Sequence, residues 1–141
     1  EIRLSLVGSE MCIRDRAGNL LVKVIPWPES LLSSYEEAME PALSRGAGFL
    51  WMTLVLAPVL EEGAFRLVLY GWLRRFMALF PAAVISSLAF GMYHGNWIQG
   101  TYAFFLGMVL AWGYEGSEYR RYPMAVLMHG AANLAVLAAF G

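Results

Sequence analysis

Residues 46–73 read GAGFLWMTLVLAPVLEEGAFRLVLYGWL and place two adjacent carboxylates inside an otherwise apolar stretch. Glu61 and Glu62 follow a charge-free run, and Arg66 is the other charged residue of the segment. Ionisable side chains are costly within a membrane-spanning segment, so they indicate a functional site by default. This stretch therefore predicts an apolar helix that carries reactive groups.

The composition is that of a membrane protein. Of the 141 residues, 59% are hydrophobic and 15% are charged, and the mean hydropathy is +0.54. That is too apolar for an ordinary soluble domain. The net charge of −1 gives no electrostatic reason to expect nucleic acid as a partner. We expect one all-α domain, a polytopic helical membrane bundle; the alternative is a soluble protein with a large helical core.

Four apolar windows predict about four membrane spans, at Gly48–Leu73, Pro81–Tyr93, Gly100–Tyr114 and Pro123–Phe140. Pro58 kinks the first helix, because it cannot donate a hydrogen bond to the Leu54 carbonyl. Arginine pairs follow the first and third windows. The positive-inside rule then predicts that loops 74–81 and 115–122 face the cytoplasm.

The first part of the chain differs in character from the rest. Residues 1–16 include the string EMCIRD at positions 10–15, which resembles a translated sequencing adapter, and the chain does not begin with Met. We therefore expect a non-native segment 1–16 on a C-terminal fragment that lacks upstream spans. Residues 17–45 would be a connector, leading into the membrane core at 46–141. Apolar side chains recur within the connector at Leu31, Tyr35 and Met39, which predicts an interfacial amphipathic helix or, equally, a solvated connector.

The two glutamates have different neighbours on a helix. Residues four apart share a face, so Glu62 should form an ion pair with Arg66. Glu61 lies about 100° further round the helix and has no such partner, which suits a general base. The structural alternative is a buried ion pair that fixes the helix position, with Glu61 facing a polar loop.

Two further polar clusters lie in charge-free stretches. His94 follows Phe90 by four residues, so the ring of Phe90 should pack beneath it. His129 and Asn133 are also four apart, and their N–H groups could stabilise an oxyanion. No nucleophile with a base, no His-Glu-x-x-His zinc helix and no di-iron pattern occurs in the sequence. The remaining chemistry is attack by an activated water.

Three spaced motifs carry a family resemblance. They are Glu61-Glu62-x-x-x-Arg66, Phe90-x-x-x-His94 and His129-x-x-x-Asn133. In this order they resemble the CPBP family, the CaaX-protease and bacteriocin-processing enzymes also called the Abi family. The resemblance covers residues 51–137 and implies an intramembrane endopeptidase of the glutamate type. One departure is Leu67, where family members often have glycine, and this alters packing more than chemistry.

The resemblance also implies roles for individual residues. The implied catalytic residues are Glu61 and His94, which activate water, and His129 and Asn133, which stabilise the oxyanion; Glu62 and Arg66 form the supporting ion pair. No cofactor is expected. Zinc is disfavoured, because Asn133 is not a usual zinc ligand and Arg66 beside Glu62 would oppose a divalent cation.

The expected function is hydrolysis of a peptide bond in a membrane-associated peptide or protein, in CaaX-type or bacteriocin-related processing. The partners would be this substrate and the lipid bilayer, in a bacterial plasma membrane. Two alternatives stay open: a non-enzymatic immunity or scaffold protein, and a proton-coupled carrier. The sequence leaves open whether the substrate is prenylated and how many copies of the chain associate.

Overall fold

The computed structural model describes residues 26–44, 46–118 and 121–140, and within these ranges the regular structure is entirely helical. The all-α prediction is therefore confirmed. The predictions for residues 1–16 and for the start of the connector lie outside the described residues.

Five helices make up the described chain. Helix α1 is Glu29–Ser44, α2 covers residues 47–73, α3 is Leu79–Tyr93, α4 is Trp97–Gly116 and α5 is Arg121–Phe140. The last four coincide closely with the four apolar windows. Hydrophobic patterning thus located each helix to within a few residues.

Helix α2 contains two segments with wider turns. It consists of Ala47–Trp51, Met52–Leu56, Ala57–Glu62, Gly63–Tyr70 and Gly71–Leu73, and the second and fourth segments have the wider π-helical turns. Pro58, which has no N–H, is the second residue of the middle segment. Wide turns of this kind are frequent at functional sites, and here they lie on both sides of the glutamates.

Helices α3 and α4 form a tight antiparallel pair. A Cβ atom on Gly91 would lie 2.6 Å from the carbonyl oxygen of Gly100, so both positions require glycine. The connection between the helices turns at Gly95, whose φ of 66° is left-handed. Asn96 then caps α4, because its side-chain oxygen accepts the N–H of Ile98 at 2.9 Å.

One apolar core lies where α2, α3, α4 and α5 meet. Its buried members are Tyr70, Leu73, Ala82, Ala83, Ala111, Tyr114 and Ala125. Small alanines let the helices approach closely, and the rings of Tyr70 and Tyr114 fill the centre with their centroids 5.8 Å apart. The core therefore fixes the relative positions of the helices that carry the polar motifs.

The last turns of α2 and α4 lie at the same end of the bundle. Nη2 of Arg74, just after α2, is 2.8 Å from Oε1 of Glu115 near the end of α4. The hydroxyl of Tyr70 donates to the other oxygen of Glu115 at 3.0 Å. This arrangement agrees with an alternating helix path, whereas the cytoplasmic placement of the loops stays a prediction.

Large apolar side chains cover much of the outer surface. The most exposed are Met92 at 81%, Trp97 at 74%, Trp112 at 71% and Phe76 at 70%. Among the described residues, however, no helix combines the length and apolar character needed to cross a bilayer. The four helices form as predicted, but their assignment as membrane spans is not confirmed.

Helix α1 forms where the amphipathic pattern predicts a helix. Leu31, Leu32 and Tyr35 are half-buried, whereas Glu37 is exposed. The hydroxyl of Ser34 accepts a 3.2 Å hydrogen bond from the side-chain amide of Asn96. Helix α1 therefore packs at the end of the bundle where the chain connects α3 to α4.

Candidate active site

The fold brings the polar motifs of α2, α3 and α5 together. Glu62 and Arg66 are fully buried, and Nη1 of Arg66 lies 3.2 Å from Oε1 of Glu62. This is the ion pair that the four-residue spacing predicts. Nδ1 of His129, on α5, lies 2.8 Å from the same oxygen of Glu62. Glu62 is therefore held by two partners, of which the sequence pattern predicted only the arginine.

Glu61 stands in a different environment from its neighbour. Its side chain is 18% exposed, and its Oε2 atom lies 3.6 Å from Nε2 of His129. His94 is close enough to Glu61 for an electrostatic interaction between them. Glu61 thus has access to solvent and has two imidazoles nearby. In the described part of the chain, no hydrogen bond occupies its carboxylate oxygens. Of the two carboxylates, it is the one available to a water molecule.

Phe90 is the packing centre of the site. Its ring is fully buried, and the guanidinium carbon of Arg66 lies 4.4 Å from the ring centroid, in cation–π geometry. The rings of His94 and His129 meet it edge-on at 4.9 Å and 5.5 Å. The sequence pattern predicted the contact with His94 only. One aromatic ring therefore aligns residues from all three motifs.

His94 is oriented by the end of its own helix. Its Nδ1–H donates to the carbonyl oxygen of Phe90 at 2.9 Å. The carbonyl can only accept, so a neutral His94 carries its proton on Nδ1 and presents the lone pair of Nε2. The side chain is half-buried, at the point where the left-handed Gly95 ends α3. His94 can therefore accept a hydrogen bond from a water near Glu61.

Asn133 makes a contact that its motif did not indicate. Its side-chain amide donates to the carbonyl oxygen of Thr53, in the first wide-turn segment of α2, at 2.9 Å. Tyr122, at the other end of α5, donates its hydroxyl to the carbonyl of Val59 at 2.6 Å. Both residues therefore connect α5 to α2 by a hydrogen bond to a backbone carbonyl. Asn133 keeps one amide N–H for other partners.

Ser87 and Gly107 complete the surroundings of the guanidinium. A Cβ on Gly107 would lie 2.8 Å from both Nη2 of Arg66 and Oγ of Ser87. The absence of a side chain on α4 thus makes room for the arginine. Sequence reasoning missed this role, because a glycine in an apolar helix indicates close packing without saying which group it accommodates.

The contacts of the two glutamates bear on the prediction that zinc is absent, which stays a prediction. In the described ranges, no three His, Cys, Asp or Glu side chains are grouped so that they could hold a metal ion. Glu62 and His129 bind each other, and Arg66 adds a positive charge to the same oxygen. A divalent cation would have to displace these contacts.

Comparison with models of protein families identifies the family of this chain. The model described as type II CAAX prenyl endopeptidase Rce1-like matches residues 44–135, more than half of the chain. The chain belongs to the Rce1-like family. The resemblance to the CaaX-protease family is thereby confirmed. The Rce1-like match runs from the last residue of α1 into α5 and includes every residue of the site. Neither the search of curated proteins nor that of solved structures found a match.

Proposed function

We propose that this protein is a membrane-embedded endopeptidase that hydrolyses a peptide bond with a water molecule activated by Glu61. The observation that carries the proposal is the contrast between the two glutamates. Glu62 is buried and bound by Arg66 and His129, whereas Glu61 is partly exposed beside two histidines. A general base must reach its water, and Glu61 meets that requirement.

The site can orient the water before it reacts. A water between Glu61 and His94 would donate one hydrogen to the carboxylate and the other to the free Nε2 of His94. Its oxygen lone pair then faces the substrate carbonyl. Holding the reactants in this way supplies much of the rate of such reactions. Loss of a proton to Glu61 accompanies attack on the carbonyl carbon.

The negative charge on the carbonyl oxygen needs hydrogen-bond donors. We assign this role to His129 and to the second amide N–H of Asn133, on successive turns of α5. The first amide N–H fixes the side chain against Thr53, which pre-orients the other. A donor that is fixed in this way before the reaction stabilises an oxyanion without reorganisation.

The substrate class follows from the family description. Because that description is CAAX prenyl endopeptidase, the first substrate to test is a prenylated peptide with a C-terminal CaaX sequence. The apolar outer surface supports contact with lipid, in which such a substrate would be anchored. Bacteriocin-related peptides are the second class.

The test uses the full chain in lipid nanodiscs with a quenched fluorescent CaaX peptide, prenylated or not. We expect the protein to cleave the peptide and Glu61→Gln to lower kcat by roughly 10²–10⁴-fold. Glu37→Gln, an exposed glutamate on α1, is the matched control and should retain full activity. Equal activity of Glu61→Gln and the control would refute the proposal.

Two measurements address the alternatives. A non-enzymatic immunity or scaffold protein would keep its activity in a stably folded Glu61→Gln variant. A proton-coupled carrier would show flux that follows a pH gradient across sealed vesicles. Metal dependence is tested separately: activity should survive a chelator wash, and stoichiometric zinc in the washed, active protein would contradict the metal-free mechanism.

A further inference from the structure

The hydrogen bonds around Glu62 determine where His129 carries its proton. The carboxylate of Glu62 forms an ion pair with the buried guanidinium of Arg66, with 3.2 Å between Oε1 and Nη1. An ionised carboxylate only accepts hydrogen bonds. Nδ1 of His129, 2.8 Å from Oε1 of Glu62, must therefore be the donor. This holds whether the imidazole is neutral or protonated.

The second ring nitrogen is consequently the reactive one. Nε2 of His129 points towards Glu61, with 3.6 Å between Nε2 and Oε2. In the neutral ring this nitrogen has a lone pair and no hydrogen. It becomes a hydrogen-bond donor only after it receives a proton. Among the described residues, two further ionisable groups lie close to these carboxylates: Arg66, which contacts Glu62, and His94, which lies near Glu61.

We propose that Glu62 is a positioning residue that holds the proton of His129 on Nδ1, so that Nε2 exchanges a proton with Glu61 during catalysis. This inference rests on the proposed hydrolysis. It gives Glu62 a role beyond that of an ion-pair partner. It also makes the oxyanion role of His129 conditional on protonation of Nε2.

The proton can be followed through the reaction. As the water oxygen bonds to the carbonyl carbon, one of its protons moves to Oε2 of Glu61. A rotation of the Glu61 carboxyl group closes the 3.6 Å gap, and the proton passes to Nε2 of His129. The resulting imidazolium keeps Nδ1–H on Glu62 and donates Nε2–H to the oxyanion. It then gives this proton to the leaving nitrogen as the C–N bond breaks, which releases an amine and a carboxylic acid and restores neutral His129.

The direct test is nitrogen NMR of the imidazoles in the full chain, labelled with ¹⁵N-histidine, in nanodiscs. The sequence contains two histidines, so a His94→Gln sample assigns the signals of His129. In the neutral ring we expect a protonated Nδ1 and an unprotonated Nε2. Glu62→Gln should produce a mixture of the two tautomers, because a neutral amide can also donate to Nδ1. Glu61→Gln is the matched control and should leave Nδ1 protonated.

Each outcome decides the inference. A wild-type ring with its proton on Nε2 would refute it, as would a Glu62→Gln spectrum identical to the wild-type spectrum. If Glu62→Gln does not fold, the wild-type spectrum still shows which ring nitrogen carries the proton. The double variant Glu62→Gln/Arg66→Gln, which leaves no unpaired buried charge, then replaces Glu62→Gln in the comparison.

The cleavage assay separates this inference from the proposed function. His129→Gln should lower kcat by roughly 10²-fold or more, with a much smaller change in KM. Cleavage by a protein whose Nε2 carries the proton would refute the inference and leave the hydrolase function intact. No cleavage of any peptide, combined with the expected spectrum, would refute the function and leave the hydrogen-bond assignment standing.

Discussion

Nδ1 of His129 lies 2.8 Å from Oε1 of Glu62, although 67 positions separate these residues in the sequence. The same glutamate oxygen binds Arg66 one helical turn away on α2. This shared contact joins α5 to α2 in the buried centre of the site. It also leaves Glu61, the adjacent residue, as the carboxylate that can meet a water.

The two glutamates should respond differently to mutation. Arg66→Ala leaves Glu62 buried without its cation, and breaking such a pair costs about 3–5 kcal/mol of unfolding free energy. Glu62→Gln in that background should restore part of the loss. Glu61→Gln should lower kcat by roughly 10²–10⁴-fold, with stability unchanged or slightly raised. Thermal unfolding in detergent measures these effects, and Arg75→Ala, an exposed neighbouring arginine, is the control. Unfolding by Glu61→Gln alone would reverse the assigned roles.

Gly107 should be intolerant of a methyl group. In Gly107→Ala, the new Cβ would lie 2.8 Å from both Arg66 and Ser87, and overpacking of this kind costs about 1–3 kcal/mol. Gly116→Ala on the same helix meets nothing within 4 Å and should be neutral or slightly stabilising. The two variants are compared by thermal unfolding. Equal stability would show that the guanidinium does not occupy the position described.

Asn133 and Tyr122 offer a matched pair of variants. Each removes one hydrogen bond from α5 to a carbonyl of α2, so Asn133→Ala and Tyr122→Phe should each cost about 1 kcal/mol of stability. Only Asn133→Ala should also lower kcat for peptide cleavage, because its second N–H is assigned to the oxyanion. An equal loss of kcat in both variants would show that Asn133 only connects α5 to α2 and does not stabilise the oxyanion.

The stability of the arginine-loop end should depend on pH. The hydrogen bond from Arg74 holds the pKa of Glu115 below its ordinary value, with a smaller contribution from Tyr70. A carboxyl group with a lowered folded-state pKa stabilises the protein above the ordinary glutamate pKa, and this contribution is lost as the pH falls through the folded-state pKa. The melting temperature should therefore fall below about pH 4.5. Glu115→Gln should show a smaller fall, and an identical profile would contradict the assignment.

Cysteines placed in the two arginine loops should be labelled from the same side of a membrane. In a Cys12→Ser background, single cysteines at Arg75 and Gly116 test this prediction in sealed vesicles with a membrane-impermeant maleimide. Both positions should react from the same side, because Arg74 and Glu115 bring their loops together. Labelling from opposite sides would contradict the paired arrangement, and labelling from the extracytoplasmic side would contradict the predicted orientation.

Local rules were sufficient for much of the architecture. The apolar windows located α2 to α5, and the four-residue spacing identified Glu62 with Arg66 and Phe90 with His94, because these features depend on neighbours within one helix. The three motifs also placed the chain in its family. The predicted spans and their orientation depend on the surrounding solvent, which the helical pattern alone does not specify.

Contacts between helices required the tertiary structure. The sequence by itself determined an all-α chain, its helix positions and the polar residues of the three motifs. Only the folded structure decided that His129 binds Glu62, that Asn133 binds the Thr53 carbonyl and that Gly107 accommodates Arg66. The physical reason is that helical periodicity assigns each side chain to a face, whereas the partner of that face depends on how helices distant in sequence pack together.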